Sequence, residues 1–167
     1  MPSLVGSEMC IRDRLEDVLT GVKLLTKEKS ELIIAVGGGS VIDVAKSINV
    51  LINYDSNQYM EVIGGKLKKL QTKLPLIAIP TTSGTGSEAT HFSVLYVNKK
   101  KYSVADQSIL PNYVLLDSEL TYSASPYLTA VSGLDALCQS IESYWAVNST
   151  EESLSLIHIS EPTRLGM

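Results

Sequence analysis

Apolar residues recur at Leu15, Val18, Leu19, Val22 and Leu25, a helical spacing that predicts an amphipathic helix over 15–29. The pattern then shortens. ELIIAV (31–36) is a β-branched apolar run ending in glycines, which predicts a strand buried on both faces, as in a parallel sheet. SVIDVAKSINVLIN (40–53) returns to helical period, with Ile42, Ala45, Ile48 and Ile52 inward. LPLIAIP (74–80) predicts a second buried strand that runs into the polar, glycine-bearing stretch TTSGTGSE. HFSVLYV and KYSVAD predict a hairpin turning near Asn98 to Lys100. NYVLLDSEL supplies a further apolar strand ending at Asp117.

The character of the chain changes near residue 121. Ser125 followed by Pro126 predicts a helix start, with serine as N-cap and proline at the first helical position. YLTAVSGLDALCQSIESYWAV continues as helix, with Gly133 marking a break or a tight contact. A boundary is therefore expected at 118–125, between an α/β part over 15–120 and the first helices of an all-α part over 121–154. No internal repeat interrupts this order.

The two ends, 1–14 and 155–167, fit neither period. MPSLVGSEMCIRDR and SLIHISEPTRLGM closely resemble peptides translated from sequencing-adapter DNA. They are therefore expected to lie outside the fold, with 15–154 cut from a longer protein. Setting them aside removes Cys10 and His158 and leaves His91 as the remaining histidine.

Composition narrows the function classes. The chain has 167 residues, 44% apolar and 19% charged, which is ordinary for a globular protein. A net charge of −4 argues against a nucleic-acid partner. No apolar run reaches the length of a membrane span, and the first residues lack the layout of a secretory signal. Cys10 and Cys138 form neither a disulfide framework nor a zinc knuckle, so a reduced, cytoplasmic setting is expected.

Candidate chemistry starts at AVGGGSVIDVAK (35–46). A strand, three glycines and a helix start let a phosphate approach the backbone and meet the positive end of the helix dipole. Ser40 is placed to cap the helix, and Asp43 three residues later completes a capping-box spacing. The spacing is neither the GxGxxG fingerprint nor a Walker loop.

The longer string GGGSVIDVAK resembles the GGGSxxDxAK signature of the iron-containing alcohol dehydrogenase family. PTTSGTGSEAT (80–90) is similar to that family's second nucleotide-contacting loop, and GLDALCQSIESY (133–144) to its first metal-bearing helix, in the same order. The resemblance implies a partial Rossmann-like, parallel-sheet nucleotide-binding domain and a nicotinamide cofactor, NAD or NADP. It implies that Gly37, Gly38, Gly39 and Ser40 hold the pyrophosphate, with Asp43 and Lys46 flanking it. Thr81, Thr82, Thr85, Ser87 and Thr90 would line the cleft beside the nicotinamide ribose and phosphates. Turn and strand-end hydrogen bonding is the plainer role for these hydroxyls. Lys101 is placed either to reach a ribose or phosphate or to sit solvated on the hairpin.

The resemblance also implies a divalent metal, Fe or Zn, with Asp135 as a ligand. The position four later, Gln139, lies on the same helix face but departs from the family's usual histidine, and a carbonyl oxygen is a weaker ligand for these metals than imidazole. An altered site, a lost metal and a substrate-specific change are all compatible with it. Two further histidine ligands of the family pattern are not in this sequence, and His91 is out of place to substitute. LCQSIESYW resembles a narrower branch, the phosphonoacetaldehyde reductases. The expected activity is hydride transfer between NAD(P)H and a small aldehyde, in an enzyme that is a homodimer when intact. The competing readings are a dehydroquinate synthase-like or glycerol dehydrogenase-like enzyme, and a catalytically inert nucleotide-binding fragment.

Overall fold

A computed structural model describes residues 15–67, 70–72, 74–147 and 150. The adapter-like ends, with Cys10 and His158, lie outside the described residues. The chain divides into two compact units. One runs to Pro80 and resumes over Ser87–Leu116; the other comprises Thr81–Gly86 and the residues from Asp117 onward.

The first unit is α/β. Helix α1 (Leu15–Glu28) buries Val18 and Val22, the centre of the predicted stripe. Strand β1 (Ile33–Gly37) leads into helix α2 (Gly39–Leu51), and a short helix α3 (Tyr59–Ile63) follows. Strand β2 (Leu76–Pro80) lies parallel to β1, with Ala35 opposite Ala78 and Gly37 opposite Pro80. The connection through α2 is a βαβ crossover. Strand β5 (Tyr113–Val114) adds to the other side of β2, also parallel, giving the order β1-β2-β5.

Between β2 and β5 the chain makes an antiparallel hairpin, β3 (Phe92–Val97) and β4 (Lys100–Ala105). Its two turn residues, Asn98 (φ 50°) and Lys99 (φ 65°), both adopt left-handed conformations. That geometry suits the right-handed twist of the flanking strands.

Helix α2 is the centre of the unit. One side packs Ile42 and Ala45 on Ala35, Leu76 and Ala78 of the sheet. The other places Val50 and Leu51 in a larger core with Val18, Val22, Val62, Leu95, Val104 and Ile109.

Three expectations for the first unit are corrected. β1 is buried on one face only: Ala35 meets α2, whereas Ile34 and Val36 are exposed. Within the first unit no helix covers that second face, so an apolar run that reads as two-sided is half open there. β5 is two residues long instead of reaching Asp117. After Leu115 donates to the Ala78 carbonyl, the chain leaves the ladder, and the Asp117 side chain accepts from the Glu119 amide to begin a tight 3-10 turn. Ser40 is not the N-cap of α2; the cap is Gly38, and the helix begins at Gly39.

The second unit is dominated by helix α4 (Pro126–Trp145). Ser125 caps it as predicted, its hydroxyl accepting from the Leu128 amide at 3.2 Å. Gly133 neither breaks the helix nor marks a close contact; the space around its α-carbon is open. The close approach is at Gly84 instead. There φ is +102°, and a side-chain carbon would collide with the Ser132 carbonyl oxygen. A residue without Cβ is what lets the 81–86 loop lie against α4.

Candidate functional site

The glycine loop sits where β1 ends and α2 begins. Gly37 closes β1, and a Cβ there would lie 2.7 Å from both Cβ and Cγ2 of Val41. The turn is thus too tight for a side chain. Gly38 is extended (φ −74°, ψ −178°) and its carbonyl receives the Val41 and Ile42 amides. It has no side chain with which to cap the helix. Ser40 lies within the first turn, exposed. A helix start whose N-cap is glycine, reached across glycines, suits an anion.

Asp43 and Lys46 lie one and two turns further along α2, where the structure gives them partners inside the protein. Lys46 is fully buried (0% exposed). Its Nζ donates to the carbonyls of Ser87 at 2.6 Å, Thr90 at 2.7 Å and Phe92 at 2.8 Å, with Thr90 Oγ1 at 3.3 Å. The Asp43 carboxylate accepts from Ser87 Oγ at 2.5 Å and from the Val94 amide at 3.1 Å. The backbone carbonyl of Asp43 accepts from Ser93 Oγ at 2.9 Å, and Ser93 Oγ lies 2.6 Å from Ser47 Oγ. Asp43 is therefore not part of a capping box.

Burial dominates the electrostatics of this cluster. It pushes the Asp43 carboxyl above its ordinary value, against the bonds from Ser87 and Val94 and the charges of Lys46 and Lys101. It pushes Lys46 below its ordinary value, against the attraction of Asp43 and Glu88. The bonding pattern identifies the protonation state of Lys46. An ammonium has three N–H groups for three carbonyls, whereas a neutral amine would turn a lone pair toward one of them.

The remaining cofactor candidates divide by position. Ser87 and Thr90 join α2 through Lys46 and Asp43, while Lys101 stays exposed on β4 and acts on Asp43 only through its charge. Thr81, Thr82 and Thr85 are half-buried in the second unit. Three polar residues of the cluster escaped the sequence reading: Ser47, Ser93 and Glu88. Ser93 had a signal, since it alternates with buried Leu95 on the inward side of β3. Glu88 had none, although its Oε2 is buried and without a hydrogen-bond partner among the described residues.

On α4, Asp135 and Gln139 share one exposed face, and Gln139 Nε2 donates to Asp135 Oδ2 at 2.9 Å. Rotated, the amide would present its oxygen instead. The pair then offers two oxygen ligands, fewer than an iron or zinc site takes from its protein. Among the described residues no group of three or more His, Cys, Asp and Glu side chains is clustered to hold a metal. His91 stacks on Phe92 at 4.4 Å between ring centroids, in the first unit. The residues present do not by themselves fit a transition metal.

Comparison with known proteins places this arrangement. The chain is 40% identical over 157 residues to Probable alcohol dehydrogenase EutG of Escherichia coli K12, covering 93% of this chain and 38% of that protein. Sulfoacetaldehyde reductase from Bifidobacterium kashiwanohense, solved in complex with NAD+, superposes with a TM-score of 0.74 at 36% identity, over 86% of this chain and 39% of that one. The iron-containing alcohol dehydrogenase from Thermococcus thioreducens gives a TM-score of 0.79 at 30% identity, over 91% and 43%. The chain thus spans less than half the length of each relative. The family model described as iron-containing alcohol dehydrogenase matches residues 12–118, more than half of the chain. With its glycine loop at the head of a βαβ crossover, the chain belongs to the iron-containing alcohol dehydrogenase family.

Proposed function

We propose that this chain is the dinucleotide-binding portion, over 15–120, and the start of the helical portion, over 121–154, of an NAD(P)-dependent alcohol dehydrogenase that reduces a small aldehyde. The observation that carries the reading is the glycine-capped start of α2 behind a glycine turn too tight for a Cβ. Gly37, Gly38, Gly39 and Ser40 would receive the cofactor pyrophosphate through backbone amides and the helix dipole. Thr81, Thr82 and Thr85 are the hydroxyl donors for the ribose and phosphates. The cofactor, when bound, supplies a hydride for the aldehyde carbon; the protein's contribution is to hold and orient it. Asp135 is the ligand this chain offers to a divalent metal.

The substrate we propose is phosphonoacetaldehyde, reduced to 2-hydroxyethylphosphonate. Support comes from LCQSIESYW around Gln139 and from likeness to a reductase named for sulfoacetaldehyde, another acetaldehyde with an anionic substituent.

Fluorescence titration of the chain with NADH and NADPH tests the cofactor reading. Saturable binding of at least one is expected, and binding of neither overturns it. Side-by-side assay of phosphonoacetaldehyde, sulfoacetaldehyde and butanal in the longer enzyme tests the substrate. A wide preference for butanal overturns that part.

A further inference from the structure

We propose that Lys46 and Asp43 are positioning residues: together they clamp residues 87–94 onto α2 and so set the backbone that presents the end of the PTTSGTGSEAT stretch. The segment begins as a 3-10 turn (Ser87–Ala89) and ends in β3. Three of its carbonyls, those of Ser87, Thr90 and Phe92, converge on one buried ammonium. A buried carbonyl left without a donor is costly, so the lysine is what allows these oxygens to point inward together. Asp43, three residues before Lys46 on the same helix face, adds a bond to the Ser87 hydroxyl and one to the Val94 amide.

Within one helical turn, α2 therefore grips the segment at Ser87, Thr90, Phe92 and Val94. Lys46 has spent its three donors and is sealed from solvent, so it has nothing left for a phosphate. The helix that begins at the glycine loop is also the one that anchors residues 87–90, the end of the second stretch. The affinity consequence rests on the dinucleotide reading above.

The experiment uses the 167-residue chain and two probes. ADP tests the pyrophosphate end at the glycine loop, whereas NADH adds the nicotinamide ribose, which the dinucleotide reading sets beside the stretch whose end Lys46 anchors at Ser87 and Thr90. Lys46→Met keeps the unbranched stem as far as the Cε position and removes the ammonium. It is expected to weaken NADH about tenfold while changing ADP less than about twofold. Asp43→Asn, which keeps size and one acceptor, should act in the same direction by a smaller factor, and it decides the matter if Lys46→Met does not fold. A merely structural lysine would lower thermal stability and weaken both probes equally, or neither; either pattern overturns the proposal and leaves the dinucleotide reading intact. Native chain that binds neither probe overturns that reading instead. The clamp is then judged by backbone hydrogen exchange. Faster exchange confined to 87–94 in the variant supports it, and unchanged protection there overturns it.

Discussion

Lys46 lies on the inward stripe of α2, between buried Ile42 and buried Asn49. A lysine at such a position signals a buried ammonium, because its charge is tolerated only with partners close by. Asp43 makes the same point through its acidity. Its folded-state pKa is raised above the ordinary carboxyl value by burial. A raised carboxyl means the folded chain holds that proton more tightly than the unfolded chain does. Asp43 therefore contributes stability that is fully present below the unfolded value of 3.8 and lost as pH rises through the folded value. The expected outcome is that native chain gains thermal stability relative to Asp43→Asn as pH falls from about 7 to about 4. Melting both proteins across that range checks it; a constant difference would show that Asp43 does not titrate there.

At the scale of elements, the helices and the hairpin were legible because their signals are local. α1 follows an apolar stripe, α4 starts at a Ser-Pro cap, and the hairpin turns at Asn98 and Lys99. Lys99 is the weak point of that turn, since a side chain in the left-handed region crowds its own backbone. Lys99→Gly is expected to stabilise the chain by about 0.5–1 kcal/mol, the relief of strain less the entropy glycine loses on folding. A higher urea midpoint with unchanged slope is the sign. The start of α2 departs from its local signal. Ser40 and Asp43 have capping-box spacing, but the N-cap lies two residues earlier, at Gly38, and Asp43 turns to Ser87 and Val94.

For the whole molecule, the open sheet face matters most. In register, Ile34 lies beside Ile77 and Tyr113, and Val36 beside Ile79. Ile34, Val36 and Tyr113 are 55%, 52% and 66% exposed, and Leu115 and Leu116 follow at 55% and 71%. A contiguous apolar face on a sheet with accessible edges favours self-association. The chain is expected to associate as its concentration rises, and Ile34→Lys with Val36→Lys should suppress this. Light scattering after size exclusion measures both; a native chain that stays monomeric at high concentration would show that the face does not drive contacts.

The sequence by itself determined the order and type of most elements and the glycine loop between β1 and α2, because helical period, strand runs and turn residues are properties of neighbouring positions. It also carried the family through three motifs in order. Only the tertiary structure decided what Asp43 and Lys46 do and which face of β1 is covered. The roles of Asp43 and Lys46 depend on atoms brought from 41 to 51 residues away, the carbonyls of Ser87, Thr90 and Phe92 and the Val94 amide, and the covered face of β1 depends on the packing of Ile42 and Ala45 against Ala35. No spacing within α2 records where those oxygens and that amide will be.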